Sequence, residues 1–291
     1  MKRLLNLILR PVLVLSGFLF IFSLPALLGI GKQSIQFHFG RFWLSIETLF
    51  MEIIHFQHSK YRDFLSQLEV GESYRYTMTI LVICLLIILV FSIVFSTLVI
   101  LSPEKISNKI KKLIHFFEAV PDLLIIFLFQ ILVITLYKTY GLKIFQLYDS
   151  FGVKPYFIPV VTISFLPLFL LTQFVIKILE EEQTQLYALF GTAKGLGQFR
   201  ILVVHILRNV FPLLILQLRN STWLILSNIY LVEYMFNIGG FTRVFQKVLF
   251  MDGDFVSLVI CLIMFTVPLI LIEAIGFLTS RLLTGKERLG L

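Results

Sequence analysis

Charge is scarce in this sequence. Asp, Glu, Lys and Arg make up 14% of its 291 residues, against about 25% in a typical soluble domain. A soluble fold of this length needs more polar surface than that to cover its core. The scarcity excludes an ordinary cytosolic enzyme and a disordered chain. Cysteine is rarer still. Cys84 and Cys261 are the only two, and both sit inside apolar runs. They read as small core residues, so a secreted disulfide scaffold is excluded too.

What fills the space is apolar: 58% of the residues are hydrophobic, with a mean hydropathy of +0.94. This composition fits an all-α, polytopic membrane protein, since each span needs about 20 apolar residues. The net charge of +8 then reflects basic loops flanking membrane helices, and implies no nucleic-acid partner. Six spans are expected: Pro11–Gly31, Tyr76–Leu101, Leu113–Tyr137, Phe157–Ile178, Val210–Met235 and Phe255–Ser280.

The lysines orient them. Glu104–Lys112 reads as a short loop with Lys105, Lys109, Lys111 and Lys112, which belongs in the cytoplasm. Both termini are then cytoplasmic in a multi-pass protein of the cell membrane. Residues 32–75 are outside, with helix-like apolar spacing over Phe42–Phe56. Loops carrying Gly141, Gly152 and Pro155, and Gly239, Gly240, Asp252, Gly253 and Asp254, are outside as well. Residues 1–101 form an N-terminal region with two spans, and 102–291 a second, larger membrane region.

The connector Leu179–Asn209 differs in kind. It opens on Glu180, Glu181 and Glu182 and is long for a link between packed helices. Its pattern reads as a helix, a glycine-bearing turn and a second helix leading back into the membrane. Small residues Ala188, Gly191, Ala193 and Gly195 permit close approach of another surface. Leu189, Phe190, Leu196 and Phe199 supply apolar knobs, which suits docking on a soluble partner. A plain polar connector is the alternative.

The text YALFGTAKGLGQFRILVVHILRN resembles the EAA-type loop of ABC importer permeases. It is most similar to the dipeptide, oligopeptide and nickel branch. Tyr187, Ala193, Lys194, Gly195, Leu196, Ile201, His205, Leu207, Arg208 and Asn209 carry the likeness. Glu233, Phe236, Gly240, Arg243, Asp254 and Phe255 fit a second motif, and Pro121 a third. Together they span roughly 102–288. Leu189, Phe190 and Gly191 depart from the usual residues, as does Thr284-Gly285 in the tail.

The resemblance implies a type I importer permease fold and a transport subunit, not an enzyme. It implies a pathway for peptides or a similar small solute. The coupling loop at 179–209 would include Tyr187, Gly191, Ala193, Lys194, Gly195, Leu196, Arg200 and His205, with His205 orienting the helix that enters the fifth span. It would sit in a cleft of a cytoplasmic ATPase. The implied partners are a second, homologous permease chain, two ATPase subunits or domains, an extracytoplasmic binding protein and membrane lipid. The sequence has no G-x-x-x-x-G-K-[ST] phosphate loop, so ATP and Mg would belong to the partner ATPase and no cofactor to this chain. A secondary transporter or membrane enzyme is the competing reading; it lacks the repeat halves or the convergent polar set it would need.

Several polar residues inside spans remain. Arg219 is expensive at mid-membrane and should face a cavity or a partner, with Glu273 or Glu233 as candidate counter-ions. Gln217, Asn220 and Asn228 add polar character to the same helix. With Arg219 and Glu233 they form the candidate translocation pathway. Glu118 and Asp122 are expected on one helical face, salt-bridged near Lys111 and Lys112, with Pro121 as a kink or early-turn proline. His55 and His58, three apart, with the outer His38, are not expected to bind metal, because the pair has neither a third ligand nor an acid at suitable spacing.

Overall fold

The computed structural model describes residues 16–30, 35–54, 69–141, 148, 154–252 and 255–284. The chain divides into two compact units, residues 1–67 with 248–261, and residues 68–247 with 262–291.

In the first unit, helix α1 (Ser16–Leu27) is followed by a hairpin of β1 (Leu28–Ile30) and β2 (Ile35–Phe37), antiparallel with Gly29 opposite Gln36. The expected helical run to Gly31 therefore stops early. The helix runs two residues past Pro25; the Leu27 carbonyl then accepts His38 N–H at 2.9 Å as the backbone passes into strand pairing. Residues 11–15 and Gly31 lie outside the described residues. Helix α2 (Phe39–Ile54) matches the apolar spacing seen in the sequence. It buries Phe42 edge-on against Phe20 at 5.4 Å between ring centroids.

The second unit carries the candidate site. Helix α3 (Val70–Leu101) has 32 residues, about 48 Å at 1.5 Å per residue. That exceeds a bilayer core of about 30 Å. One face of α3 buries Ser73, Thr77, Cys84, Ser92 and Ser96. These small side chains let α6 (Phe157–Gln183) lie close along it. The Ser92 and Ser96 hydroxyls are satisfied within the helix, by the Leu89 and Ile93 carbonyls at 3.0 Å, whereas Ser73 and Thr77 donate to other elements.

Four expectations are corrected here. The lysine-rich stretch is a helix, α4 (Glu104–Glu118), and not a loop. Ile106, Ile110, Ile114 and Phe117 recur at helical spacing, and Ile114 is buried beside Val99 and Ile176. The third span begins at Asp122, giving α5 (Asp122–Tyr140), because Pro121 disfavours helix at the residue before it. Glu118 and Asp122 thus lie on different helices. Pro121 is the residue capping α5 and not a kink. Phe117 stacks on Phe169 at 4.8 Å and meets Phe165 at 5.4 Å, fixing the α4 end against α6.

Helix α7 (Leu186–Ala193) then leads to α8 (Gln198–Met235). Helix α8 is longer than the expected fifth span, because it continues the connector without a break. Its residues Ile201–Ile206 form a wider π-helical turn. After it, α9 (Phe241–Lys247) replaces the first part of the expected outer loop. Helix α10 (Phe255–Thr284) ends the described chain. The architecture is all-α apart from the hairpin, with five helices long and apolar enough to cross a membrane among the described residues. Gly152, Gly253, Asp254, the N-terminal basic residues and the tail from Gly285 lie outside the described residues.

Candidate functional site

The connector between α6 and α8 is built as a tight hairpin. Gln185 starts α7 by offering its carbonyl to Ala188 N–H at 3.0 Å. At the other end Gly195 has φ +76°, a left-handed geometry that favours glycine. Gly195 N–H donates to the Thr192 carbonyl at 2.9 Å, and Leu196 N–H to the Gly191 carbonyl at 3.2 Å. This paired arrangement closes the helix. Gly191 is buried against Ile201, where an added Cβ would come within 3.3 Å of Cγ1. The glycine therefore sets how closely α7 lies on α8. Ala188, Leu202 and Ile206 are buried in the same seam.

The outer face of that hairpin is apolar and uncovered. Leu186 is 84% exposed, and Phe190 and Phe199 are each 61% exposed. Ala193 and Gly195 are exposed beside them, with nothing within 4 Å of a Cβ built at Gly195. Lys194 Nζ stands 4.4 Å over the Phe190 ring. Tyr187 donates to Glu182. Partial burial, and then that acidic neighbour, push its phenol up to about 12, so it stays protonated. Arg200 and His205 are exposed. His205 has no hydrogen bond or ion pair among the described residues.

The polar residues of α8 separate onto different faces. Gln217 and Asn220 are hydrogen-bonded at 3.1 Å. With Glu118, Gln173 and Lys177 they line a cavity of about 310 Å³. Gln173 bridges two neighbours there. Its amide nitrogen donates to Glu118 Oε1 at 3.1 Å, and its oxygen accepts from His115 Nδ1 at 3.1 Å. His115 Nδ1 is also 3.6 Å from Glu118 Oε2. A second cavity of about 220 Å³ shares Gln173 and Lys177 and is lined also by the ion-paired Lys111 and Glu180. The acid near the lysines is thus Glu180, and Glu118 pairs with His115.

Arg219 points elsewhere. Its Nη1 lies 3.5 Å from Glu273 Oε1, and both side chains are more than half exposed. Glu273 is therefore the counter-ion, and Glu233 is not. Asn228 is buried and interacts with Asp122.

Glu233 is 1% exposed and lines neither cavity. Its carboxylate accepts from Thr77 Oγ1 at 2.6 Å, from Thr242 N–H at 3.0 Å and from the Thr242 hydroxyl. Thr77 Oγ1 in turn accepts Phe241 N–H at 2.9 Å. A Cβ at Gly240 would fall inside the carboxylate. This network pins the start of α9 to α3 and α8. The sequence reading missed it, since only the spacing of Glu233 and Gly240 signalled it.

Among the described residues no three His, Cys, Asp or Glu side chains converge as a metal site. His55 and His58 lie outside the described residues.

The family profile described as "binding-protein-dependent transport system inner membrane component" matches residues 100–284. No curated protein matches the chain. The matched stretch covers well over half the sequence and includes both cavities, the hairpin and every member of the Glu233 network except Thr77. The chain belongs to this family: it is an inner-membrane permease component of an ABC importer, a transport subunit without a catalytic domain.

Proposed function

We propose that this permease forms half of a translocation pathway for peptides or similar small solutes, and that its α7–α8 hairpin docks on the ATPase. Permeases of this family act with an ATPase and a binding protein. The observation that carries the docking reading is the uncovered apolar face of Leu186, Leu189, Phe190 and Phe199, held on a hairpin beyond the apolar spans. Such knobs on a rigid frame suit a groove on a soluble partner. ATP and Mg belong to that partner. The second half of the pathway is a homologous permease chain, with two ATPase subunits or domains below and an extracytoplasmic binding protein above. The family assignment leaves no support for a secondary transporter or a membrane enzyme.

Two faces of α8 support the pathway reading. Gln217 and Asn220 place polar groups in a largely apolar cavity, and the Arg219–Glu273 pair stands uncovered within a span. An exposed ion pair is costly against lipid, so it needs water or a partner chain. Arg219→Lys keeps the charge but loses the planar fork that holds a carboxylate at two points. It should assemble normally and lower uptake about tenfold, the loss of one charged hydrogen bond. Exchanging the pair, as Arg219→Glu with Glu273→Arg, should restore assembly and not uptake. Normal uptake at normal abundance in Arg219→Ala would remove Arg219 from the pathway.

In this reading the hairpin and α4 lie in the cytoplasm. Single-cysteine labelling tests this, and the buried Cys84 and Cys261 give little background. Cysteines at the exposed positions Asn108 and Gln198 should resist an impermeant reagent in intact cells and react after the cells are opened. Labelling of position 198 from outside would contradict the docking reading.

A further inference from the structure

We propose that α4 and the groove beneath it form a binding site for an anionic phospholipid. Lys105, Lys109 and Lys112 lie at spacings of four and three and make one exposed stripe along α4. None of them pairs with a carboxylate among the described residues. Lys111, on another side of the helix, is the one held by an acid, Glu180. Next to the stripe, Ile106, Leu113 and Phe116 are exposed. A helix with lysines beside uncovered apolar residues lies in the membrane interface, with its apolar side in the acyl region.

Below this helix is a cavity of about 260 Å³, lined by Phe95, Leu98, Ile110, Leu113, Leu168 and Phe169. Its one hydroxyl, on Thr172, is already tied to the Leu168 carbonyl at 2.7 Å. Leu98 and Leu113 are themselves exposed, so the groove opens to the surface. Its walls are the spans α3 and α6 and the apolar side of α4. The surrounding solvent is therefore lipid, and an acyl chain fits the lining. The unpaired lysines lie outside its lining, on the adjoining exposed side of the same helix, and supply the complementary charge for a phosphate-bearing, net-negative headgroup. This site stands apart from the pathway and the hairpin, and does not depend on either reading.

Native mass spectrometry of the full-length chain, offered equal phosphatidylglycerol and phosphatidylcholine, tests the site. The unsubstituted chain should retain phosphatidylglycerol preferentially. Each lysine replaced by glutamine should weaken that retention about fivefold, and the triple variant should lose the preference. The triple Lys→Arg variant should keep it. Leu98→Trp, at an exposed wall position, should reduce retention of both lipids by filling the groove. Equal retention of the two lipids by the unsubstituted chain would overturn the proposal. So would an undiminished preference in the triple glutamine variant, or unchanged retention in Leu98→Trp.

Discussion

Ala193→Trp is expected to enter the membrane at normal abundance and to abolish ATP-dependent uptake. Ala193 is exposed at the last turn of α7, so the larger ring displaces nothing within the chain. It projects instead beside Phe190 and Leu189, where the proposed ATPase surface must approach. Steric loss at the centre of such an interface costs about 2–4 kcal/mol, at least thirtyfold in affinity. Gly195→Trp should block docking as well, and adds about 1–2 kcal/mol of backbone strain at φ +76°. Gly191→Val fails for a different reason: its Cβ crowds Ile201, so the hairpin itself loosens. Lys194→Ala should be mild, since the contact with Phe190 contributes about 1 kcal/mol or less. Uptake measured alongside membrane abundance separates these cases. Wild-type uptake in Ala193→Trp would make the hairpin a mere connector.

Glu233→Ala should have the opposite signature: low abundance and a lowered thermal midpoint, whether or not the ATPase is present. Removing the carboxylate leaves Thr77 Oγ1, Thr242 N–H and the Thr242 hydroxyl buried without their acceptor. Each orphaned donor costs about 1–3 kcal/mol. Gly240→Ala should fall in the same class, because its methyl group and the carboxylate cannot share the space. Glu233→Gln should be intermediate. It keeps the shape and one acceptor oxygen but turns an amide donor toward the remaining donors. Thermal-shift size exclusion of the detergent-extracted chain reads this directly. An unchanged midpoint in Glu233→Ala would mean that α9 is held by its apolar contacts alone.

The two variants also mark what the sequence could and could not disclose. Ala193 and Gly195 were legible because a helix stop written in glycine is a local signal, and the hairpin follows from it. The spans were legible because an apolar run of that length has few other uses. Helix α4 reads as a loop in the sequence because its lysines mask the period of Ile106, Ile110 and Ile114. The early start assigned to the third span came from passing through Pro121. Glu233 was placed on the pathway because a lone acid in a span reads as functional. Its true neighbours come from α3 and α9, and Thr77 is 156 positions away in the chain. Nothing in linear text pairs such residues. Arg219 with Glu273 was foreseeable as a charge balance, yet which acid it meets depended on the packing of α10 against α8, where Gly276 sits close to Leu216.

The most direct measurement is a photo-cross-linking residue at Phe190 in the assembled importer. The account predicts a covalent adduct with the ATP-hydrolysing subunit from position 190. It predicts none from Tyr156, exposed at the opposite end of α6 from the hairpin. No adduct from position 190, or equal adducts from both positions, would contradict the claim that this hairpin couples the membrane region to its ATPase.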